Sequence, residues 1–322
     1  MRRHLLEVAG SRGRLRFDHF MREALYAPAI GYYTKPAERV GRTGGTDFYT
    51  ASSLGRVFAD LVVAAVGKLL PFPPGDCTFV ELGPEGSGGL LATASAHPFG
   101  ATRTIRPGES CALDGTCVVF ANEVLDAQPF RRFRGTGGGH PPEEAWVVAA
   151  EEGPLAWHFL PAEDAPAQIP PRLPDGYILD WPTGAHDLLR ELSAPSWRGL
   201  FLTFDYGLPE KTILEERPEG TGRSYHRHRR SGDLLAHPGS ADLTCHLAWE
   251  PMEKILAGNG FSPITLSTQE SFLLHHGRTV IERILADAGS GFSPEKQTLM
   301  ELLHPGHMGT KFMALSALRG GG

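Results

Sequence analysis

The sequence predicts an α/β fold of the Rossmann-like type, with a mainly parallel sheet. Near-continuous apolar runs suit strands that are covered on both faces, and helical patterns lie between these runs. A glycine-rich turn follows the first run directly, as expected for a strand, loop and helix unit. In such sheets ligands bind at the carboxyl ends of the strands, so the fold class also indicates where a site should lie.

Two helical patterns precede the first predicted strand. Apolar side chains recur at helical spacing over residues 17–25 and again over residues 53–70. The polar, glycine-rich connection between them, residues 41–52, is either a lid over a site or an ordinary surface connection. We therefore divide the chain into an N-terminal helical segment with a lid loop, residues 1–70, and a core with inserted and C-terminal elements, residues 71–322.

The core is predicted from three short apolar strands and the patterns around them. The strands cover residues 77–80, 116–120 and 200–204, and a helix is expected to begin near residue 89. The further predicted elements are a hairpin of residues 146–148 with 155–159, helices at 187–192, 250–258, 268–276 and 279–288, and a closing strand at 311–318.

Composition excludes several classes of function. The chain has 322 residues and a formal net charge of −6, so it has no overall attraction for nucleic acid or anionic membranes. Its four cysteines form no Cys-x-x-Cys pair, which argues against a zinc site and favours reduced thiols. No apolar stretch reads as a signal peptide or a membrane span, and we expect a cytoplasmic protein.

Polar side chains follow all three predicted strands. Glu81 and a glycine loop follow the first, Asn122, Glu123 and Asp126 the second, and Asp205 the third. Gly83, Gly86 and Gly88 would let a cofactor approach the backbone closely, but their spacing fits a dinucleotide fingerprint poorly. Glu81 could instead receive the ammonium group of a methionine moiety, directly or through water. This favours S-adenosylmethionine (SAM) as the cofactor.

The order of short motifs resembles that of the MidA-type SAM-dependent methyltransferases. The motifs are Tyr26-Ala27-Pro28 with Gly31-Tyr32-Tyr33, residues 44–52, Glu81-Leu82-Gly83-Pro84, Ala121 to Pro129 (Ala-Asn-Glu-Val-Leu-Asp-Ala-Gln-Pro), Asp205-Tyr206-Gly207, Gly220 to Tyr225 with His228, Asp242-Leu243-Thr244, and Leu303 to Gly309. Each tripeptide is unspecific alone, but seven or more in order indicate the family.

The resemblance implies a Rossmann-like class I SAM-dependent methyltransferase sheet, SAM as cofactor, and an arginine of a protein as acceptor. Mitochondrial members of the family are complex I assembly factors and arginine methyltransferases. Asn122, Glu123 and Asp126 are then the catalytic candidates, the two carboxylates pairing with the guanidinium. Glu81, Gly83, Gly86 and Gly88 would bind the cofactor, with Asp47 and Thr50 on the lid. No metal, nucleic-acid or membrane partner is implied, and a homodimer is left open.

Two departures from the family pattern support an alternative function. Pro84 is followed by Glu85 where the family has glycine, and only about 30 residues separate the loop from Ala121, hardly enough for a helix, a strand and another helix. Glu109 or Asp114 could replace the missing ribose-binding acid, but neither follows a clear strand pattern. The alternative is a catalytically weakened or inactive family member that acts as an assembly or interaction protein.

A third hypothesis is a methyltransferase that acts on nucleic acid, with Asn122 contacting a base. The residues after Asn122 lack the proline and aromatic side chain that usually hold a flipped base. We therefore rank this hypothesis below the other two.

Overall fold

The computed structural model describes residues 1–35, 55–84, 88–227, 229–286 and 293–320. The chain groups into two compact units that alternate along the sequence. Unit 1 comprises Met1–Ala37, Leu125–Leu188 and Gly207–Met252, and unit 2 comprises Glu38–Val124, Leu189–Tyr206 and Glu253–Gly322. The division at residue 70 by sequence pattern stays a prediction.

The predicted helices are largely confirmed. The α-helices of the described residues are α1 (Arg2–Ala9), α2 (Phe17–Tyr26), α3 (Arg56–Leu69), α4 (Thr183–Ser193), α5 (Glu210–Glu215), α6 (Trp249–Gly258), α7 (Gln269–His276), α8 (Arg278–Ala286) and α9 (Pro294–Leu303). None of them is both long and apolar enough to cross a membrane.

The strands include all those that the sequence predicts. They are β1 (Arg14–Arg16), β2 (Thr78–Leu82), β3 (Ala101–Ile105), β4 (Thr116–Asn122), β5 (Arg131–Arg134), β6 (Glu143–Val148), β7 (Ala156–Pro161), β8 (Ile178–Trp181), β9 (Arg198–Asp205), β10 (Gly207–Leu208), β11 (Arg223–His226), β12 (Arg229–Ser231), β13 (Asp242–Thr244), β14 (Leu247–Ala248), β15 (Phe261–Thr268) and β16 (Met313–Arg319). The predicted hairpin is β6 with β7.

Unit 2 contains the predicted mainly parallel sheet. Its strand order is β15-β16-β9-β4-β2-β3, with β9, β4, β2 and β3 parallel and β16 antiparallel to both of its neighbours. Phe79, Phe120 and Phe204 are almost completely buried in one core cluster with Phe58 and Leu61 of α3. Burial on both faces explains why β2, β4 and β9 read as apolar runs.

The sequence interpretation missed β3, the strand that follows β2 in the chain. β3 lies parallel to β2 over its whole length, although the sequence had no clear strand pattern there. Four of its five residues are exposed, so it has no apolar run, and only its β-branched residues favoured a strand. The helix expected near residue 89 is wrong, because only a single 3-10 turn, Leu90–Ala92, forms there. Omitting a regular helix is how the short connection accommodates the strand.

Unit 1 has an antiparallel sheet with the order β1-β6-β5-β8, and β7 pairs with β6. Its buried charges are matched: Arg131 pairs with Glu144 at 2.6 Å, and Arg132 with Asp180 at 2.7 Å. Two small sheets, β12-β11-β13 and β10-β14, complete the unit. Pairing of this kind offsets the cost of burying these four charges.

Candidate functional site

The parallel strands of unit 2 end at one edge of the sheet. Leu82 at the end of β2 is in register with Ile105 of β3 and Ala121 of β4, and Asn122 is in register with Phe204 of β9. The structure therefore brings the strand-end candidates Glu81, Asn122 and Glu123 to the same edge.

The glycine turn after β2 needs glycine for two reasons. Gly83 has a φ of 57°, in the left-handed region, and its N–H donates to the Ile105 carbonyl at 2.9 Å. A Cβ at this position would lie 2.9 Å from a methyl group of Val124. Gly88 is the first described residue after the turn, whereas Glu85, Gly86, Asp47 and Thr50 lie outside the described residues. The Val124 side chain thus packs against the turn where a side chain of residue 83 would begin.

Glu81 closes this turn from inside. Its side chain is buried, and Oε2 accepts a hydrogen bond from the Leu90 N–H at 2.7 Å. Gly89 has a φ of 66°, and a Cβ there would lie 2.3 Å from Oε2 of Glu81. Glu81 also lines a cavity of about 360 Å³ with Phe79, Gly88, Leu91 and residues of β3. The carboxylate therefore orders the backbone and borders a cavity at once.

The end of β4 holds a strained residue. Glu123 has a φ of 53°, although it is not glycine, and its N–H donates to the Phe204 carbonyl at 2.9 Å. Such a conformation costs about 1–3 kcal/mol and concentrates at functional sites. The Asn122 amide donates to Oε1 of Glu123 at 3.2 Å, while the buried Oδ1 of Asn122 has no partner among the described residues. Asn122 is thus ready to accept a donor from a ligand.

The acids after the neighbouring strands have local partners. Oδ1 of Asp205, completely buried at the end of β9, accepts the Tyr206 N–H at 2.8 Å. Glu109 accepts the Arg106 N–H at 2.8 Å and closes a turn soon after β3. Glu109 therefore does follow a strand, contrary to the sequence interpretation, and its role as the ribose-binding acid, like that of Asp114, stays a prediction.

Asp126 lies in unit 1, in a group of tyrosines and aspartates. Asp126 and Asp242 are both buried, and the Tyr33 hydroxyl donates to Oδ1 of Asp242 at 2.8 Å. The Tyr26 ring stacks on Tyr33 with centroids 5.5 Å apart, and its hydroxyl donates to the Ala127 carbonyl. We call these four residues, with Tyr225, the tyrosine–aspartate cluster.

The carboxylates of the cluster influence its tyrosine hydroxyls. Burial, followed by the nearby Asp242 carboxylate, raises the pKa of Tyr26 and of Tyr33. Burial and then Asp126 raise the pKa of Tyr225 in the same way. The phenols therefore stay neutral beside two carboxylates, while Arg230 and Arg223 act in the opposite direction on the pKa of Tyr225. The sequence motifs contained Tyr33 and Asp242, but nothing in the sequence showed that they meet.

The described residues fit SAM on three observations. Gly83 and Gly89 give the turn two positions of positive φ, Asn122 Oδ1 offers a buried acceptor, and the Glu81 carboxylate borders a cavity. Amine and hydroxyl groups of a nucleoside and an amino acid are the donors that such acceptors take. The arrangement agrees with a ligand at the carboxyl edge of the sheet.

Comparisons with known proteins agree with this assignment. Residues 104–266 match the model of a family of S-adenosyl-L-methionine-dependent methyltransferases. The chain is 24% identical over 379 residues to the protein arginine methyltransferase NDUFAF7, mitochondrial, of Xenopus tropicalis, covering 98% of this chain and 85% of that protein. The Xenopus laevis protein of the same name is 23% identical over 384 residues, covering 98% and 83%.

A solved structure extends the likeness to three dimensions. A Burkholderia thailandensis protein bound to S-adenosyl-homocysteine is 26% identical, with a TM-score of 0.83, covering 99% of this chain and 91% of that one. The class I methyltransferase fold and the resemblance to the MidA type are thereby confirmed. The chain belongs to the MidA-type family of SAM-dependent methyltransferases, and SAM is its cofactor.

Proposed function

We propose that this methyltransferase transfers the methyl group to an arginine side chain of a protein. The observation that carries the proposal is the tyrosine–aspartate cluster of unit 1, where two buried carboxylates lie among aromatic rings. A guanidinium is planar, always charged, and pairs with carboxylates through several N–H groups while it stacks on aromatic faces. The Xenopus relatives named as protein arginine methyltransferases support the same acceptor.

The residues of each unit have distinct roles in this proposal. At the strand edge of unit 2, Glu81, Gly83, Gly88 and Asn122 hold the cofactor, which supplies an electrophilic methyl group when bound. Gly86 and the lid residues Asp47 and Thr50 are proposed to join them.

The carboxylates act on the acceptor. Asp126 and Asp242 orient the guanidinium, and the Tyr33 hydroxyl donates to Asp242. In unit 2, Glu123, with Asn122 donating to it, is the proposed general base. Holding the nitrogen in one orientation is the main contribution of such groups to the rate.

The alternative of a non-catalytic assembly protein rested on Glu85 in the glycine loop, which lies outside the described residues, and on a missing second strand. β3 is present and parallel to β2, and Glu109 follows it. That reason for lost cofactor binding therefore no longer holds, and we favour the enzyme.

The proposal is tested with peptide libraries and labelled SAM. The purified full chain is incubated with a library that has arginine at its central position and with a matched library that has lysine there. We expect transfer to the arginine library only. Asp126→Asn and Asp242→Asn should each lower transfer by about 10- to 100-fold, because hydrogen bonds to a charged group are lost. Both variants should keep the wild-type calorimetric affinity for S-adenosyl-homocysteine within about twofold.

Two results would contradict the proposal. Transfer to the lysine library would show a different acceptor. Undiminished transfer in both aspartate variants would show that the tyrosine–aspartate cluster does not bind the acceptor.

A further inference from the structure

The chain between the glycine turn and β3 is held by side chains instead of a helix. Its regular structure in residues 88–100 is the single 3-10 turn Leu90–Ala92, extended by a hydrogen bond from the Thr93 N–H to the Leu90 carbonyl. A helix would fix this connection through its own backbone bonds. Here tertiary contacts must do so.

Asp60 of α3 provides several of these contacts. Its Oδ1 accepts the Ser95 N–H at 2.8 Å, and its Oδ2 accepts the Ser95 hydroxyl at 2.7 Å. Arg283 of α8 donates to the same Oδ2 at 2.8 Å. The Asp60 carboxylate is buried, with 7% of the residue exposed, whereas Ser95 and the Arg283 side chain are exposed. We call Asp60, Ser95 and Arg283 the Asp60 clamp.

The helix that carries Asp60 is rigidly placed. Phe58, Leu61 and Val62, which flank Asp60 in α3, have no exposed surface and belong to the main core cluster. Burial alone would raise the pKa of the Asp60 carboxyl, but the hydrogen bonds from Ser95 and Arg283 outweigh burial and lower the pKa. Asp60 is therefore a charged, fixed anchor for an irregular segment.

The Asp60 clamp holds one end of residues 90–95, and Glu81 holds the other end by a hydrogen bond. Glu81 accepts the Leu90 N–H at 2.7 Å, and Asp60 binds Ser95 five residues later in the chain. Leu90 itself is buried. The backbone next to Gly88 is thus held from both β2 and α3.

We infer that Asp60 is a positioning residue for SAM, acting through Ser95 to keep the chain after the glycine turn in its binding conformation. The inference rests on the proposed placement of the cofactor at Gly83 and Gly88. A segment that is already ordered loses less entropy when a ligand binds, so the Asp60 clamp raises affinity. Asp60 lies on α3 and takes no part in the proposed chemistry, so turnover at saturating SAM does not depend on it.

The test measures the affinity of the full chain for S-adenosyl-homocysteine by calorimetry, and KM for SAM and kcat with the arginine library. Asp60→Asn should raise Kd and KM about tenfold, and Ser95→Ala about threefold, because one of the two Ser95 bonds survives. In both variants kcat should stay within about twofold. Ser95→Thr keeps the hydroxyl and should restore the affinity.

Arg278→Gln is the matched control. It breaks the exposed Arg278–Glu282 pair on the same helix as Arg283 and leaves the Asp60 clamp intact. It should leave Kd unchanged. A lower melting temperature with an unchanged Kd in both Asp60→Asn and Ser95→Ala would overturn the inference, because Asp60 would then be purely structural.

The variant Gly83→Val tests the placement of the cofactor separately from the role of Asp60. If it leaves Kd unchanged, the placement of the cofactor is wrong and the inference falls with it. If it abolishes binding while Asp60→Asn and Ser95→Ala bind normally, the placement stands and the inference about Asp60 alone is overturned.

Discussion

Both units wrap a glycine turn around a buried carboxylate, and the two turns are alike in their backbone contacts. In unit 2 Glu81 accepts the Leu90 N–H beside Gly89. In unit 1 Asp180 accepts the N–H groups of Thr221 and Gly222 at 2.9 and 2.7 Å. A Cβ on Gly220, whose φ is 72°, would lie 2.4 Å from Asp180 Oδ2, as a Cβ on Gly89 would meet Glu81. We call them the Glu81 turn and the Asp180 turn.

The turns differ in what else lies beside the carboxylate. Asp180 is completely buried and receives two hydrogen bonds from Arg132, at 2.7 and 3.0 Å. Glu81 borders a cavity of about 360 Å³. A glycine turn around a carboxylate is therefore structural when an arginine closes it, and suits a ligand when it opens on a cavity. The local sequence alone does not distinguish these cases.

The largest expected effect is on the closed turn. Asp180→Ala leaves the mostly buried Arg132 without its partner, and we expect the free energy of unfolding to fall by about 3–5 kcal/mol. Urea unfolding measures this change. Lys211→Gln is the control, since it breaks an exposed ion pair in the same unit and should change stability by less than about 0.5 kcal/mol. A loss in Asp180→Ala as small as that of the control would show that the Asp180 turn is not structural.

The glycines of the two turns should separate stability from binding. Gly89→Ala and Gly220→Ala each force a Cβ toward a carboxylate at a positive φ, which we expect to cost at least about 1–2 kcal/mol of stability. Only Gly89→Ala should also weaken calorimetric binding of S-adenosyl-homocysteine. Equal weakening by Gly220→Ala would mean that the Asp180 turn also serves the cofactor.

Replacing Glu123 should change stability by a smaller amount and in the opposite direction. Its φ of 53° is unfavourable for glutamate but not for glycine. Glu123→Gly should therefore increase the free energy of unfolding by about 1 kcal/mol, while methyl transfer is lost. Thermal unfolding and the peptide-library assay together check this. A variant that loses both stability and transfer would mean that Glu123 has a structural role instead.

The smallest effect concerns pH and the Asp60 clamp. The folded-state pKa of Asp60 lies below its ordinary value of 3.8, so its stabilisation is complete well above that pH. It is lost as the pH falls through 3.8 towards the folded-state pKa. The stability difference between wild type and Asp60→Asn should hence be constant from about pH 7 to about pH 5 and shrink below about pH 4. Urea unfolding at these pH values measures it, and a difference that grows on acidification would contradict the assignment.

The sequence predicted the buried half of the fold better than the exposed half. Strands β2, β4 and β9 are covered on both faces, and burial left the apolar runs that identify them. β3 lies at the edge of its sheet with four exposed residues, so its sequence has no apolar run that would identify it as a strand. The connection after the glycine loop was also wrongly judged too short to contain a second strand. It has room for β3 because a 3-10 turn replaces the expected helix.

In the site, the sequence predicted residues at the ends of strands but not contacts between residues that are far apart in the chain. Glu81, Asn122 and Glu123 were predictable because they follow buried strands. The Tyr33–Asp242 hydrogen bond joins residues 209 positions apart, and the Arg132–Asp180 pair residues 48 apart. No local pattern encodes such distances. The positive φ of Glu123 is likewise set by the end of the sheet and not by its residue type.

The most direct test compares the two turns in one calorimetric experiment. S-adenosyl-homocysteine is titrated into the wild-type chain, Glu81→Gln and Gly220→Ala. If the Glu81 turn holds the cofactor and the Asp180 turn is structural, Kd should rise about tenfold or more in Glu81→Gln and stay within about twofold in Gly220→Ala. Wild-type affinity in Glu81→Gln, or equal weakening in both variants, would contradict this assignment.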